Sequence, residues 1–557
     1  TATREPTITA ITPLRDAVVG DVGRSLWIFT AAVALVLLIA CANVSNLLAM
    51  RARTRSHELA IRTAIGASRG RLMRQVLTES LVLSCLGGIA GLGVAYVGVA
   101  LLLRSMPAGL LPRTGEIHVD FVVVAALLLG CVVTGALAGS TAAAIAMRQH
   151  PRQAMSDAVR ATSRGAFRGV FVTAEVALAL VLLVAAGLLV QSFSHLRGVD
   201  LGFRPTHIVA ATLDFPVRQF PTADLVRDVE GRLEGRIAAI PGVTATAVIN
   251  WLPLDSTYIR GDFVLQDGRK LPSGYSVLKP AVTPSYFAVM GVPIRQGRGF
   301  LASDVGGAAR VAVVSESVAH RFWPGRSPIG ERFSMSDHPT AADWITIVGV
   351  AADVAQDGPS APRAEAIYQS IAQMDQPFWI NHLTFILRDT LPPGRVIAAI
   401  RQAVHQVDPA QPIGAVFTMD RRISDAIAEP RFRSTVLMVF SALALALATI
   451  GVYGVLAYAV AERRRELGIR MALGAAPAAV LRLVLASAAR VTLPGLAIGL
   501  VMSIAATRVL SGFLYEVAPT DPATLIGASA TLLVVALLAG LVPALRASRI
   551  DPVTAIK

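Results

Sequence analysis

Charged residues are scarce in this chain, and lysine is almost missing. Only 16% of the 557 residues are charged and 54% are hydrophobic, whereas soluble domains carry roughly 25% charged residues. This composition indicates a membrane protein. None of the three lysines, Lys270, Lys279 and Lys557, ends the G-x-x-x-x-G-K-[ST] loop that holds nucleotide phosphates, so the sequence contains no P-loop.

Residue patterns for catalysis or metal binding are lacking as well. The three cysteines lie inside apolar runs, as small buried hydrophobic residues do. The nine histidines form no H-x-x-H or H-E-x-x-H pair, and we interpret Asp255 and Asp262 as loop acids rather than as a catalytic pair. We therefore predict no catalytic residues, no cofactor and no metal, and no enzyme activity in this chain.

The formal net charge of +14 would suit a nucleic-acid partner, but the charge is unevenly placed. The arginines cluster in short segments beside the apolar runs, which is typical of membrane topology. We predict contact with membrane lipid and no nucleic-acid partner.

Seven stretches are long and apolar enough to cross a bilayer as helices, which takes about 20 residues. They are Leu26–Met50, Ser80–Leu103, Phe121–Met147, Val170–Ser194, Ser434–Ala461, Val491–Leu514 and Pro522–Leu545. Glu175 lies near the start of the fourth stretch. Acids inside the membrane are functional by default, but we favour an interfacial pair of Glu175 with Arg168 or another basic residue.

The arginines also predict the orientation of these spans. Segments 51–74, 148–168 and 461–482 hold seven, five and five arginines, while 104–120 and 511–521 hold two and none. Because cytoplasmic loops are enriched in basic residues, we predict that the three arginine-rich segments and the C-terminal tail are cytoplasmic.

The segment 195–433 is polar and holds most of the prolines. "HIVAATLDF" and "WITIVGVAADV" contain the β-branched residues typical of buried strands. "ADLVRDVEGRLEGRIAAI" spaces four apolar residues four apart, which predicts an amphipathic helix; they are Leu225, Val229, Leu233 and Ile237. "PGRVIAAIRQAVHQVD" predicts another. We expect an α+β domain on the outer side, large enough for its own core.

A phrase occurs twice on the predicted cytoplasmic side. "HELAIRTAIGA" at 57–67 and "RELGIRMALGA" at 465–475 share seven of eleven positions. Each copy places a glutamate four residues before an arginine, the order that favours an ion pair on a helix, and then a glycine that can end the helix. These residues are Glu58, Arg62 and Gly66 in the first copy and Glu466, Arg470 and Gly474 in the second. A membrane-edge anchor would explain the arginines but not the matched pair.

The repeat is longer than this phrase, because "MRQHPRQAM" after the third span matches "SRIDPVTAI" after the last. The repeat unit is therefore three spans, with the charged phrase after the first span. Only the second copy is preceded by a further span and the polar segment. We expect this sequence to be the C-terminal part of a longer protein with two four-helix units.

These motifs resemble those of permeases of the MacB/FtsX type, the membrane partners of ABC ATPases, and more closely the duplicated eight-span permeases of acidobacteria. The resemblance covers essentially the whole chain and includes "IPGV", "GRGF", "PGRSPIGERF" and "ITIVGVAADV" in the polar segment and the terminal "ALRASRIDPVTAI". It implies a polytopic α-helical membrane protein of the bacterial inner membrane, with two FtsX-like helix units and one large extracytoplasmic α+β domain.

The expected divisions follow from the spans and the resemblance. They are the end of a truncated outer segment (1–25), a first FtsX-like three-helix unit (26–150), a cytoplasmic linker (151–169), the first helix of the second unit (170–194), a MacB-like periplasmic core domain (195–433) and a second FtsX-like unit (434–557).

In that family the repeated phrase is the coupling helix that docks on a separate ABC ATPase, which binds the ATP. The resemblance thus implies that six residues lie at or beside the ATPase contact: Glu58, Arg62, Gly66, Glu466, Arg470 and Gly474. In the first copy Ser56 and His57 interrupt the arginine triplet of the second, so the first loop is expected to bind less symmetrically. A second permease copy or an envelope protein is the other expected kind of partner.

Two functions remain open from the sequence. The first is a permease subunit that converts ATP hydrolysis into motion of the outer domain, driving export or extraction of a substrate. The second is a regulator or scaffold that uses the same mechanics to control an envelope hydrolase without transport. No span has a periodic polar face that could line a channel, which favours mechanical transmission over passage through a pore.

The predicted topology can be tested by cysteine labelling of a cysteine-free variant in intact cells. With Arg464→Cys on the cytoplasmic side, we expect a membrane-impermeant thiol reagent to label it only after the cells are permeabilised. A cysteine placed between 511 and 521 serves as the outside control. Strong labelling of position 464 in intact cells would reverse the whole orientation.

Overall fold

The computed structural model describes residues 22–54, 68–105, 120–147, 161–255, 258–269, 271–272, 274–336, 338–462, 464–473 and 476–548. The chain divides into two compact units. Residues Thr1–Ser194 and Pro430–Lys557 form the membrane unit, and His195–Glu429 form the outer domain.

The helices are numbered in chain order. They are α1 (Val22–Thr54), α2 (Arg69–Ser105), α3 (Phe121–Met147), α4 (Ala161–Gly198), α5 (Ala223–Ala238), α6 (Tyr286–Met290), α7 (Glu316–Phe322), α8 (Pro393–Val407), α9 (Met419–Ala426), α10 (Ala428–Glu462), α11 (Arg464–Ala472), α12 (Pro477–Leu510) and α13 (Pro522–Ser548).

Within the described residues, seven helices are long and apolar enough to cross a membrane: α1, α2, α3, α4, α10, α12 and α13. This confirms the predicted fold class of a polytopic helical membrane protein. Five of these helices, α1, α2, α4, α10 and α12, begin earlier than the apolar runs suggested, because a helix continues into polar sequence where hydropathy already falls. α4 begins at Ala161, inside the expected linker 151–169, and α10 begins at Ala428, so the outer domain ends at Glu429 rather than at 433.

The second and third spans pack together in a similar way in the two copies of the repeat. A Cβ at Gly139 of α3 would lie 3.0 Å from Leu77 and 3.1 Å from the Ser80 Cβ of α2. At the matching place, a Cβ at Gly540 of α13 would lie 3.7 Å from Leu485 and 3.5 Å from Ala488 of α12. Gly139 and Gly540 therefore have a packing role, since small residues let helices approach closely in lipid.

α4, which stands outside the three-span repeat, is the most buried of the spans. In its apolar window 67% of the residues are buried, against 33% or less in the six others. Its neighbours reach it through glycines: a Cβ at Gly495 or Gly499 of α12 would lie 2.8 Å from the carbonyl oxygen of Thr173 or Ala177. α4 is thus the centre of the packed part of the membrane unit.

The outer domain is built on one large mixed sheet with helices packed against it. The strands are β1 (Ile208–Asp214), β2 (Val243–Ile249), β3 (Arg260–Gly261), β4 (Val264–Leu265), β5 (Val277–Leu278), β6 (Ala281–Val282), β7 (Ile294–Gly297), β8 (Val311–Ser315), β9 (Arg332–Ser334), β10 (Trp344–Ala351), β11 (Ile367–Ser370), β12 (His382–Asp389) and β13 (Ile413–Thr418). The sheet order is β13-β1-β12-β2-β6-β11-β8-β10-β9-β4, with β7 on β10, while β3 and β5 form a separate pair.

Most neighbours in the sheet are antiparallel, but β6 with β11 and β8 with β10 are parallel. The predicted strands correspond to β1 and β10, and the predicted helices to α5 and α8. The apolar stripe of α5 was wrong at one end, because Leu225 is 47% exposed and Val226 is buried instead. An α-helix has 3.6 residues per turn, so residues spaced four apart move gradually around its axis. Over about three turns, the first of them is therefore no longer on the buried face.

The outer domain has apolar clusters of its own, one under α5 and α8 and others elsewhere along the sheet. We therefore expect residues 197–430 to express without detergent as a soluble α+β domain. Circular dichroism should show mixed helix and strand with a cooperative thermal transition. A spectrum typical of a disordered chain would contradict this prediction.

Candidate functional site

The second copy of the repeated phrase forms α11, directly after α10. Within it the Arg470 guanidinium donates to Glu466 Oε1 at 2.6 Å, four residues back on the helix. Both side chains are about half exposed, so the pair contributes only a few tenths of a kcal/mol to the helix. The predicted ion pair is therefore present, but it does not hold α11 in place.

A buried leucine holds α11 against the bundle. Leu467 is 2% exposed and packs with Val480 at the start of α12 and Ala547 at the end of α13. Met471, one turn along, adds to the same cluster. One face of α11 is therefore buried against the ends of two spans.

The opposite face of α11 combines charge with apolar surface. Ile469 is 47% exposed and Leu473, just past the helix, is 82% exposed, and both stand beside the Glu466–Arg470 pair. Residues three and four apart share a helix face. We call this mixed surface, defined by Glu466, Ile469, Arg470 and Leu473, the candidate docking face.

The first copy cannot be compared directly, since Glu58, Arg62 and Gly66 lie outside the described residues, as does Gly474. A described helix follows each phrase. α2 begins immediately after Ser68, and α12 begins with Pro477 in its first turn, where proline's missing N–H costs nothing.

The predicted interfacial pair of Glu175 is wrong. Glu175 is 0% exposed, and neither carboxylate oxygen has a hydrogen-bond partner. Its side chain turns from α4 toward Gly451 of α10, into the bundle rather than toward the headgroups. A hydropathy profile shows that an acidic residue lies within a span, but it does not show in which direction around the helix its side chain points.

Helix α5 of the outer domain carries a buried acid and a half-buried acid that the sequence interpretation missed. Glu230 and Glu234 lie four apart on α5; Glu230 is only 7% exposed, and Thr246 of β2 donates to Glu234 Oε1 at 3.3 Å. Burial raises the pKa of Glu230 to about 8, helped by the charge of Glu234 and opposed by Arg227. Burial also raises the pKa of Glu234, against the Thr246 hydrogen bond. The predicted stripe did not include Glu230; it lies four residues after Val226, on the face that the structure shows to be buried.

The loop acid Asp255 has a structural role. It accepts a hydrogen bond from Arg422 at 3.0 Å and is shielded from solvent, while the backbone oxygen of Asp262 accepts one from Lys279 at 2.6 Å. A pocket of about 150 Å³ beside Lys279 is also lined by Arg310, which pairs with Asp375 at 2.9 Å. The cationic groups at this pocket are thus already engaged within the domain.

Two family models match the chain. The model for the FtsX-like permease C-terminal region matches twice, at residues 30–151 and 438–552, and the model for the MacB-like periplasmic core domain matches residues 173–406. The chain belongs to the MacB/FtsX type of permease. The duplicated match corresponds to the two three-span copies, and the second model covers most of the outer domain, which makes that domain extracytoplasmic.

Several curated MacB/FtsX-type proteins are similar to part of the chain. The pyoverdine export ATP-binding/permease protein PvdT of Pseudomonas syringae pv. tomato is 29% identical over 281 residues, which cover 48% of this chain and 41% of that protein. The macrolide export ATP-binding/permease protein MacB of Burkholderia thailandensis is 26% identical over 285 residues, covering 50% and 43%. The chain thus matches less than half of the length of these relatives.

Among solved structures, the periplasmic region of MacB from Actinobacillus actinomycetemcomitans is 13% identical, with a TM-score of 0.28 over 42% of this chain and 95% of that one. The extracellular domain of the noncanonical ABC-type transporter YknZ from Gram-positive bacteria is 12% identical, with a TM-score of 0.26.

The buried acids predict how the stability of the outer domain changes with pH. Because the folded pKa of Glu230 is above its ordinary value of 4.5, the folded domain binds more protons than the unfolded chain between about pH 4.5 and 8. The free energy of unfolding contributed by Glu230 therefore falls as pH rises through this window, by on the order of a few kcal/mol.

We expect Glu230→Gln in residues 197–430 to remove this loss, as measured by urea unfolding at pH 5 and pH 8. Glu316→Gln, which changes a more exposed glutamate of α7, is the control and should keep the wild-type difference between the two pH values. An equal pH dependence in the wild type and Glu230→Gln would contradict the prediction.

Proposed function

We propose that this chain is the permease subunit of an ABC exporter in a bacterial inner membrane, and that the docking face of α11 binds the ATPase. The observation that carries the proposal is that α11 is buried on one face and exposed on the other. Leu467 fixes one face to the spans, while Ile469, Leu473 and the ion pair are left on the other. A helix with apolar and charged groups on one free face suits a groove on a partner protein.

ATP is bound and hydrolysed outside these 557 residues. The sequence has no P-loop, whereas PvdT and MacB are named ATP-binding/permease proteins and extend well beyond the matched region. In this proposal a separate ABC ATPase, the partner that the family resemblance implies, binds the ATP and meets the permease at its cytoplasmic side. The names of these relatives also favour export over the regulation of an envelope hydrolase.

α10 provides the mechanical connection between the docking helix and the outer domain. It is one helix of 35 residues, about 50 Å long at 1.5 Å per residue. It begins at Ala428 in the outer domain, and only Arg463 stands between its end and α11. Movement of α11 by the ATPase would thus displace a rigid rod whose other end leads into the outer domain, and that motion drives export.

We expect Glu466→Lys to weaken ATPase binding about a hundredfold without unfolding the membrane unit. The change converts a pair worth a few tenths of a kcal/mol into a similar repulsion, too little to unfold the bundle. Like charges at a docking surface can cost several kcal/mol. ATPase pull-down, protein level and detergent-solubilised melting would measure both effects.

Two further variants make this test specific. Glu466→Lys with Arg470→Glu keeps an ion pair on α11 but reverses its direction, so it should still bind poorly if the ATPase recognises the docking face. Glu58→Lys should weaken binding less, because the first copy lacks the full arginine triplet. Unchanged pull-down for all variants at normal expression would leave the phrase as a membrane-edge anchor and refute the docking role.

A further inference from the structure

Three helices of the membrane unit meet at a buried polar junction. Glu175 of α4 is 0% exposed and Asn43 of α1 is 6% exposed. Gly451 of α10 lies against both side chains: a Cβ there would be 2.8 Å from Asn43 Oδ1 and would overlap Glu175 Oε2. The Glu175 carboxyl and the Asn43 amide oxygen therefore both lie against Gly451. A larger residue at position 451 would push them apart.

The orientation of the Asn43 amide is fixed by a backbone contact. Its Nδ2 donates to the Leu447 carbonyl oxygen of α10 at 2.9 Å. A carbonyl oxygen can only accept, so the nitrogen must be on that side. Asn43 Oδ1 is then left on the side of Gly451 and Glu175, where it can accept a hydrogen bond.

The Glu175 carboxyl has no donor that would stabilise a negative charge. Neither oxygen has a hydrogen-bond partner, and no ion pair among the described residues includes it. An ionised carboxylate buried without a partner is far more costly than the neutral acid. A neutral acid, by contrast, has one O–H to donate, and Asn43 Oδ1 is a nearby acceptor.

The other titratable groups on the packed helices do not change this conclusion. The nearest in sequence to the junction are Cys41 on α1, Tyr453 on α10, Arg490 on α12 and Arg546 on α13. None of them bonds to Glu175 in the described part of the chain. Arg546 instead donates to the Tyr453 hydroxyl at 3.3 Å, and the Arg490 side chain is exposed.

The junction lies where the two copies of the repeat meet. The alignment that matches the two cytoplasmic phrases pairs Asn43 with Gly451, and also Asn46 with Gly454. Equivalent positions of the equivalent helices α1 and α10 thus face each other, as in a two-fold interface. Ile39 of α1 and Ala444 and Ala448 of α10 are buried in the cluster that extends from this junction. Because one copy has an amide and the other only glycine, space remains for the acid from α4.

We propose that Glu175 is a proton-binding site within the membrane: its carboxyl carries a proton in the packed bundle and donates it to Asn43 Oδ1, fastening α4 to the contact between α1 and α10. The hydrogen bonds from Glu175 to Asn43 and from Asn43 to Leu447 then connect all three helices. α1 and α10 each lead into one copy of the repeated phrase. On the proposed function, the fastening therefore joins the two segments that meet the ATPase.

Infrared difference spectroscopy on the purified full chain in lipid nanodiscs tests the protonation directly. We expect the wild type at neutral pH to show the carbonyl stretch of a protonated carboxylic acid, shifted in deuterated buffer and absent from Glu175→Gln. If Glu175→Gln instead removes only the band of an ionised carboxylate, Glu175 is charged in the wild type. The same result in sodium-free buffer and in sodium chloride would overturn the proposal. A carboxylate band that depends on sodium would also overturn it, in favour of a cation site.

Equilibrium unfolding in mixed micelles tests the hydrogen bonds. Glu175→Gln keeps a donor and should unfold like the wild type, while Glu175→Ala and Asn43→Ala should each raise the unfolding equilibrium constant. In the double variant Glu175→Ala with Asn43→Ala, the increase in the unfolding equilibrium constant should be about threefold smaller than the product of the two single increases. This is the usual coupling for a buried hydrogen bond between membrane helices. Gln behaving like Ala at position 175, or independent effects of the two alanine variants, would refute the fastening.

Gly451→Ala supplies a matched test of the space for the acid. Its Cβ would overlap Glu175 Oε2, so we expect strong destabilisation that Glu175→Ala partly relieves. Gly527→Ala on α13, where nothing lies within 4 Å of the added Cβ, is the control and should be nearly silent. These measurements use the chain without an ATPase. They can therefore refute the proton-binding site while Glu466→Lys still weakens ATPase binding, and the docking role can be refuted while the proton-binding site is confirmed.

Discussion

The close approach of neighbouring helices to α4 is the constraint on which the membrane unit depends. In lipid there is no hydrophobic gain from bringing spans together, so association relies on close contact and a few buried hydrogen bonds. α12 meets this condition with Gly495 and Gly499, whose hydrogen atoms face the backbone of α4. A methyl group at either place would force the helices apart. The position of α12, and of α11 packed on its first turn, follows from this contact.

The two copies of the repeat share the packing of their second and third spans but not their surroundings. Within each copy, a glycine of the third span meets the second span at matching positions. Among the described helices, however, the central helix α4 is matched by no counterpart in the first copy. Asn43 faces Gly451 across the contact between the copies, so Glu175 is accommodated without a symmetric partner. The repeat therefore provides a common scaffold, and its substitutions make the two cytoplasmic phrases inequivalent.

The polar groups of the two units are stabilised by different physical means. In the outer domain, most acids lie at the surface or pair with arginine, as Asp304 does with Arg298 at 2.7 Å and Asp255 with Arg422. Glu230 and Glu234 are exceptions on the buried side of α5 and favour the protonated form. In the membrane unit a buried acid without an arginine partner can be stabilised only as a neutral hydrogen-bond donor. The protonation state of an acidic side chain in this protein thus depends on the groups packed around it in the fold rather than on its neighbours in the sequence.

The sequence by itself determined the membrane class, the seven spans, the three-span repeat and the α+β character of the polar segment. These properties depend on local composition, on periodicity and on matches between distant segments, all of which can be read along the chain. It also indicated the ion pair of α11, because a spacing of four is a local property of a helix.

Only the tertiary structure decided where helices end and which faces are buried. It extended α4 and α10 beyond their apolar runs, and it moved the buried face of α5 from Leu225 to Val226. It turned Glu175 away from the predicted basic partner into the junction with Asn43 and Gly451. The orientation of a side chain around a span depends on which other helices pack against it. Those contacts join residues hundreds of positions apart, and hydropathy, which averages over one segment at a time, contains no information about them.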